Sequence, residues 1–254
     1  MKKIYSLLTI LLAVLFGFSC QSDETVSEEG YLRISAETVG ITNSSRVIEG
    51  YNPKQLAVEI VNAGGTTVES TNDFSEWENS NKTFRLAPGT YTVKAASYGF
   101  DGSESGFDIP YYVGSTEVTV KTGETATAAI TCTLANVKVT VEFDDTFKAA
   151  FKEANSVVKS AVESVASQKF VMGDEAKTAY FPVGNLTSTI TVVNKLDKEY
   201  SRDDVVANVK ARDWVKFIYK AKATGTGGVK VDIADNGHTY TFTFDVTMDG
   251  NETI

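Results

Sequence analysis

The groups in this chain that could do chemistry are few and poorly partnered. His238 is the one histidine, and it stands fourth in Asp235-Asn236-Gly237-His238, which reads as a turn. A general base needs a nucleophile or an orienting carboxylate within hydrogen-bond reach, and no motif supplies one there. Gly102-Ser103-Glu104-Ser105-Gly106 has the glycine spacing of a nucleophile elbow, but Glu104 takes the serine position and no strand-to-helix pattern surrounds it. Gly225-Thr226-Gly227-Gly228 lacks the Lys-Ser/Thr that completes a phosphate cradle. Two cysteines and one histidine are too few for ordinary zinc sites, which draw mainly on those residues. The chain is therefore expected to be non-enzymatic, with no cofactor and no metal. A carboxylate pair for glycoside hydrolysis stays open, because 33 acidic residues allow many pairs and separation in space decides the matter.

Cys20 carries a more specific chemistry. It closes the apolar run from Leu7 to Phe18, which follows Lys2 and Lys3 and is separated from the cysteine by Ser19. A charged start, an apolar stretch and a small residue before the cut form the layout of a secretory signal. The run is shorter than the roughly 20 residues of a spanning helix. The pattern resembles a bacterial lipobox, with Gly17 where leucine is common. In such a signal the cysteine thiol takes a diacylglyceryl group and Cys20 becomes the lipid anchor at the head of the mature chain. Residues 21–29 follow as an acidic tether: Gln21-Ser22-Asp23-Glu24, then Glu28 and Glu29, polar and without apolar periodicity. This tether resembles the export signal that carries Bacteroidetes lipoproteins to the outer face of the outer membrane. The expected address is the outer membrane, lipid-anchored and facing the cell exterior.

Charge narrows the partners. The net charge is −9, and without residues 1–20 the chain holds 22 basic against 33 acidic side chains. No basic cluster stands out, so nucleic acid is not an expected partner.

One loop concentrates side chains suited to binding. Phe100, Phe107, Tyr111 and Tyr112 fall within thirteen residues, and such aromatics can stack on sugars or anchor a protein. They could equally fold back over the edge of a sheet. In the same loop Asp101, Ser103, Ser105 and Gly106 match the first six places of a calcium loop. Tyr112 stands where the bidentate glutamate belongs, which leaves a near-miss. Trp77 and Trp214 are the only tryptophans.

The elements that position these residues are mostly strands. Val137, Val139, Val141 and Phe143 alternate with Lys138, Thr140 and Glu142; Leu32, Ile34 and Ala36 alternate near the start; Tyr91, Val93 and Ala95 follow the turn Ala87-Pro88-Gly89. Alternation with one polar face predicts antiparallel sheets wet on one side, hence sandwiches. Ala126, Ala128, Ile130, Cys132 and Leu134 share one face of such a strand, which makes Cys132 a small core residue. Val229–Ala234 and Thr239–Val246 flank an Asn236-Gly237 turn and predict a hairpin pairing Ile233 with Tyr240, Val231 with Phe242 and Val229 with Phe244. One segment changes period: Phe147, Phe151, Ala154, Val158, Ala161, Val162 and Val165 recur at three and four, predicting a helix at about 145–166 capped by Asp144 or Asp145. The change of character near Ala135 divides the chain into an N-terminal β-sandwich at 30–134 and a C-terminal β-sandwich at 135–254.

Several stretches together resemble a known family. They are the signal with Cys20, Gly30-Tyr31-Leu32-Arg33-Ile34, Leu86-Ala87-Pro88-Gly89-Thr90-Tyr91-Thr92-Val93, Cys132-Thr133-Leu134-Ala135-Asn136-Val137-Lys138-Val139 and Tyr180-Phe181. The chain is similar to a Bacteroidetes family of surface lipoproteins of unknown function, akin to fimbrillin and fimbrial-anchor proteins. That resemblance implies two transthyretin-like or fimbrillin-like β-sandwiches and a structural or adhesive role, such as a fimbria-like anchor or accessory subunit. It supplies no catalytic residue. The implied partners are the membrane through the N-terminal lipid, and other fimbrial subunits or surface glycan. A glycan-binding lipoprotein of a nutrient-capture system is the alternative. At the other end Asp249-Gly250 signals a turn, and the four residues after it are too few to fill another sandwich's groove. Such a chain is expected to accept a strand or cap an assembly rather than donate its tail.

Overall fold

The computed structural model describes residues 29–39, 56–97, 99–100, 105–174, 176–223, 229–234, 237–246 and 252–253. The signal, most of the tether, Asp101 and Ser103 of the calcium near-miss, Glu104, and the Gly225–Gly228 segment lie outside them. No described helix is long and apolar enough to cross a membrane.

The chain is mostly β, as the alternation predicts. The first half holds β1 (Gly30–Val39), β2 (Leu56–Asn62), β3 (Thr67–Thr71), helix α1 (Phe74–Asn79), β4 (Phe84–Leu86), β5 (Gly89–Ser97), β6 (Gly106–Phe107), β7 (Tyr112–Val120) and β8 (Thr125–Leu134). Seven of these strands run in the order β3-β2-β5-β7-β8-β1-β4. Strands β7 and β8 pair at Tyr112↔Leu134 and Val113↔Thr133. Strand β7 continues on β5 and β8 on β1, so the sheet turns a corner and closes around its own core. That corner needs glycine. A Cβ on Gly114 would lie 2.6 Å from the Thr131 carbonyl oxygen and 2.9 Å from Ile130 Cγ2.

The enclosed core draws on both sides of the corner, with Leu32, Ala128, Ile130 and Cys132 facing Val58, Ile60, Val93 and Ala95. Helix α1 closes one end. Asp73 caps it, its side chain accepting the Ser75 N–H at 3.0 Å, and Phe74 and Trp77 point inward. Full burial of each large apolar side chain contributes about 1.5–3 kcal/mol, which is what holds such a layer closed.

The second half holds β9 (Val137–Phe143), α2 (Asp145–Ala150), β10 (Phe151–Ser160), β11 (Gln168–Val171), β12 (Ala179–Phe181), β13 (Gly184–Asn194), β14 (Glu199–Val209), β15 (Trp214–Ala223), β16 (Val229–Ala234), β17 (Gly237–Val246) and β18 (Glu252–Thr253). A four-stranded sheet β11-β10-β13-β14 faces a second sheet ordered β16-β17-β15-β9-β12-β6, with β18 also paired to β17. Between them lies a second core, from Val137 to Phe242, rich in rings: Phe143, Phe147, Phe151, Tyr219 and Phe242 form a connected aromatic stack with centroids 4.5–5.9 Å apart.

Three expectations change. The helix predicted over 145–166 is only Asp145–Ala150, followed at once by strand β10. Asp144 caps it as predicted, accepting the Phe147 N–H at 3.0 Å. Ala154 and Val158 are four apart, and four is a multiple of two, so the same spacing serves a strand. The β-branched pair Val157-Val158 and the weak helix formers Asn155 and Ser156 then decide for β, through nine residue pairs with β13.

The C-terminal hairpin exists, but its register differs by two. Ile233 pairs with His238, Val231 with Tyr240 and Val229 with Phe242, closing on Ala234↔Gly237. The expected Asn236 of the turn lies outside the described residues, but the strand pairs close earlier than an Asn236-Gly237 centre would place them, and a shift of two keeps every residue on its face. The sheets, finally, are mixed rather than wholly antiparallel: β1 pairs in parallel with β8, and β15 in parallel with both β9 and β17.

Candidate functional site

The aromatic loop singled out in the sequence is built largely into the fold. Strand β6 leaves the first half and pairs with β12, Ala179↔Phe107 and Tyr180↔Gly106. Its Phe107 packs edge-on against Phe170 in the second core, with centroids 5.2 Å apart. Tyr111 is buried, its hydroxyl donating to the Gly99 carbonyl at 3.0 Å. Tyr112 is half-buried against the first core, and its N–H donates to Ser97 Oγ at 2.8 Å. Burial pushes the Tyr112 phenol above its ordinary range.

Phe100, 41% exposed, is the member of the four that faces solvent. The four do not form one exposed platform. Backbone contacts fasten the segment further: Asp108 N–H donates to the Thr178 carbonyl at 2.8 Å, and Ala135 N–H to the Tyr111 carbonyl at 2.7 Å. Asn136 adds a side-chain bond, its Nδ2 donating to the Ile109 carbonyl at 3.1 Å. The backbone takes left-handed φ at Asp108 (+56°) and reaches +142° at Gly106 to make this crossing. His238 belongs to strand β17, paired with Val215 and Ile233, and not to the turn.

A cluster that the sequence does not announce lies on the outer face of the larger sheet. Register places Tyr180, Lys138 and Trp214 side by side on β12, β9 and β15. Lys138 is only 6% exposed, yet its ammonium lies 4.0 Å from the Trp214 ring centroid. Lys216, two residues along β15, places its own ammonium 3.9 Å from the same centroid. The indole N–H donates to Thr140 Oγ1 at 3.0 Å and so fixes the ring. Burial lowers the Lys138 pKa, and the neighbouring Lys216 charge lowers it further. Alternation assigned Lys138 to solvent. The signal that could have found the cluster is the pairing of β9 with β15, which joins residues seventy-six positions apart and has no local trace.

Two further polar groupings exist. Inside the second core Ser156 Oγ, Ser188 Oγ and Tyr219 Oη form a chain with 2.6 Å links. Burial, its first cause, holds the Tyr219 phenol far above its ordinary range. On the outer face of the four-stranded sheet a shallow groove of about 360 Å³ is lined by Lys152, Glu153, Asn155, Lys169, Thr191 and Glu199 among others. Its charges are mixed, and the Lys152 ammonium is already taken by Asp197. Cys132 is fully buried, which lifts its thiol to about 11 and keeps it unreactive.

A family model described as Domain of unknown function (DUF4493) matches residues 28–248. None of the curated proteins matches the chain. Among solved structures, a candidate cell adhesion protein from Bacteroides eggerthii is similar at 12% identity over 88% of each chain, with a TM-score of 0.42. A candidate cell adhesion protein from Bacteroides ovatus is similar at 12% identity over 87% of this chain and 94% of its own, with a TM-score of 0.43. The fimbrial anchor protein Mfa2 from Porphyromonas gingivalis is similar at 13% identity over 68% of this chain and 80% of its own, with a TM-score of 0.34.

Proposed function

We propose, for a chain that belongs to the family described as Domain of unknown function (DUF4493), a non-enzymatic role as a lipid-anchored cell-surface protein of the outer membrane, acting as a fimbria-like anchor or accessory subunit in adhesion. The observation that carries the proposal is Cys20 at the end of a charged-then-apolar leader, followed by an acidic tether. A thiol at that place has one evident use, as the acceptor of a lipid.

The fold suits a spacer or anchor. We divide it into two domains, 30–134 and 135–254, each around its own core. Strand β6 and the Ala135 and Asn136 bonds tie the first to the second. Two stiffly joined sandwiches transmit force from a membrane anchor to whatever they hold. The short strand β18 pairs back on β17 of its own chain, which favours accepting or capping over donating a tail. The glycan-capture alternative asks for a stacking platform of aromatics, and residues 99–114 give it Phe100 alone among the described side chains.

Complementation tests the role. In a strain lacking the protein, the wild-type chain restores adherence of whole cells to a host-cell layer, and the Cys20→Ala chain, exported without an anchor, does not. Equal rescue by Cys20→Ala contradicts an anchored role.

A further inference from the structure

The Lys138–Trp214–Lys216 cluster breaks a local rule. Charged side chains that lose their water are ordinarily paired with an opposite charge. Here a nine-tenths buried lysine and a half-buried one crowd a single indole. Neither ammonium has a carboxylate within ion-pair distance among the described residues, although the chain holds 33 acids against 24 bases. The ring's negative face compensates in part, contributing about 0.5–2 kcal/mol per cation. Like-charge repulsion between the two ammonium groups remains, and an anion from outside would relieve it. Sites where sequence, packing and charge disagree are where function is to be sought.

We propose that the outer face of β9 and β15 at Lys138, Trp214 and Lys216 binds an acidic sugar of a surface glycan through its carboxylate or sulfate. Each ammonium has N–H donors to give the oxyanion, and charge-assisted bonds of this kind are the strong ones. Thr140 accepts from the indole N–H, which leaves its own hydroxyl proton to donate to a neighbouring sugar oxygen. Ile218, half-buried two residues beyond Lys216 on the same face, adds an apolar flank. The net charge of −9 selects among anions. A densely charged polyphosphate backbone is repelled by the rest of the surface, whereas isolated acidic groups spaced along a neutral chain are not. The choice of a glycan as the carrier rests on the adhesive role proposed above. The binding measurement uses the purified chain in detergent, where neither anchoring nor assembly takes part, so the two proposals fail separately.

Trp214 is its own reporter. A Trp77→Phe background leaves it the sole indole, since the chain has two tryptophans and Trp77 is buried in the first core. Titration with sialyllactose, which offers one carboxylate on an otherwise neutral saccharide, and with a monosulfated lactose, which offers one sulfate, should each give a saturable fluorescence change that weakens with salt. A neutral maltooligosaccharide should give none. Lys216→Gln, at a less buried position that the fold tolerates, should weaken binding about tenfold, the loss of one charge-assisted contact. Lys138→Arg, which keeps the charge in the buried place, should retain it. Equal response to the neutral sugar, unchanged affinity in Lys216→Gln, or tighter binding of a polyglutamate peptide than of either saccharide would each overturn the proposal.

Discussion

Phe107 stands edge-on to Phe170, ring centroids 5.2 Å apart and planes at 77°, although Phe107 comes from the half of the chain whose other strands enclose the first core. The contact is possible because β6 detaches from its sequence neighbours and extends the second half's sheet beyond β12. The β6 part of a loop whose aromatics could bind a partner or fold back over a sheet edge is thus a strut, and the aromatic that strengthens it sits in the far core.

Removing that ring should loosen the strut. Phe107→Ala is expected to destabilise the second half by about 2–4 kcal/mol, the range for a large ring truncated from a core it partly enters. Guanidinium denaturation followed by Trp214 fluorescence measures it. A midpoint equal to wild type would mean that Phe107 only rests on the surface of that core.

The corner between β7 and β8 makes a second demand. Gly114→Val puts a branched Cβ where 2.6 Å separates it from the Thr131 carbonyl oxygen. Backbone must move, and a cost of about 1–3 kcal/mol is expected from overpacking. Thermal unfolding of the variant should show the loss in the first half, read through Trp77. An unchanged Trp77 transition contradicts the close approach.

The buried hydroxyl chain gives a pH signature. Ser188→Ala removes the hydroxyl joining Ser156 to Tyr219 and should cost about 1–3 kcal/mol. Tyr219 also keeps its proton in the folded state well above the unfolded value of about 10. The unfolded chain therefore releases that proton first, and the stability from Tyr219 is complete below about pH 10 and falls as pH rises beyond it. Tyr219→Phe cannot titrate, so its stability should fall less steeply than wild type above pH 10 in urea melts. Parallel curves would show that the phenol is open to water.

Much of the fold was legible because alternation is local. Val137, Val139, Val141 and Phe143 all lie inside, as their spacing implies, and the turn at Pro88-Gly89 opens β5 where expected. The errors have one physical origin, degeneracy of short patterns. Ala154 and Val158 satisfy a helix and a strand alike, and a shift of two in the C-terminal hairpin keeps every residue on its face. What could not be read at all depends on pairing across long separations. Lys138 alternates like a solvent residue until β15 lays Trp214 beside it, and Phe107 lies in a strand of two residues, too short for any period.

We propose above that the protein is held at the cell exterior, on the outer membrane, by a lipid on Cys20. The direct measurement is metabolic labelling with a palmitate analogue, followed by protease treatment of intact cells. The account predicts that the wild-type chain is labelled and is digested from outside, while Cys20→Ala is unlabelled and leaves the membrane fraction. A wild-type chain that carries no label, or that carries it and survives external protease on intact cells, would contradict the account.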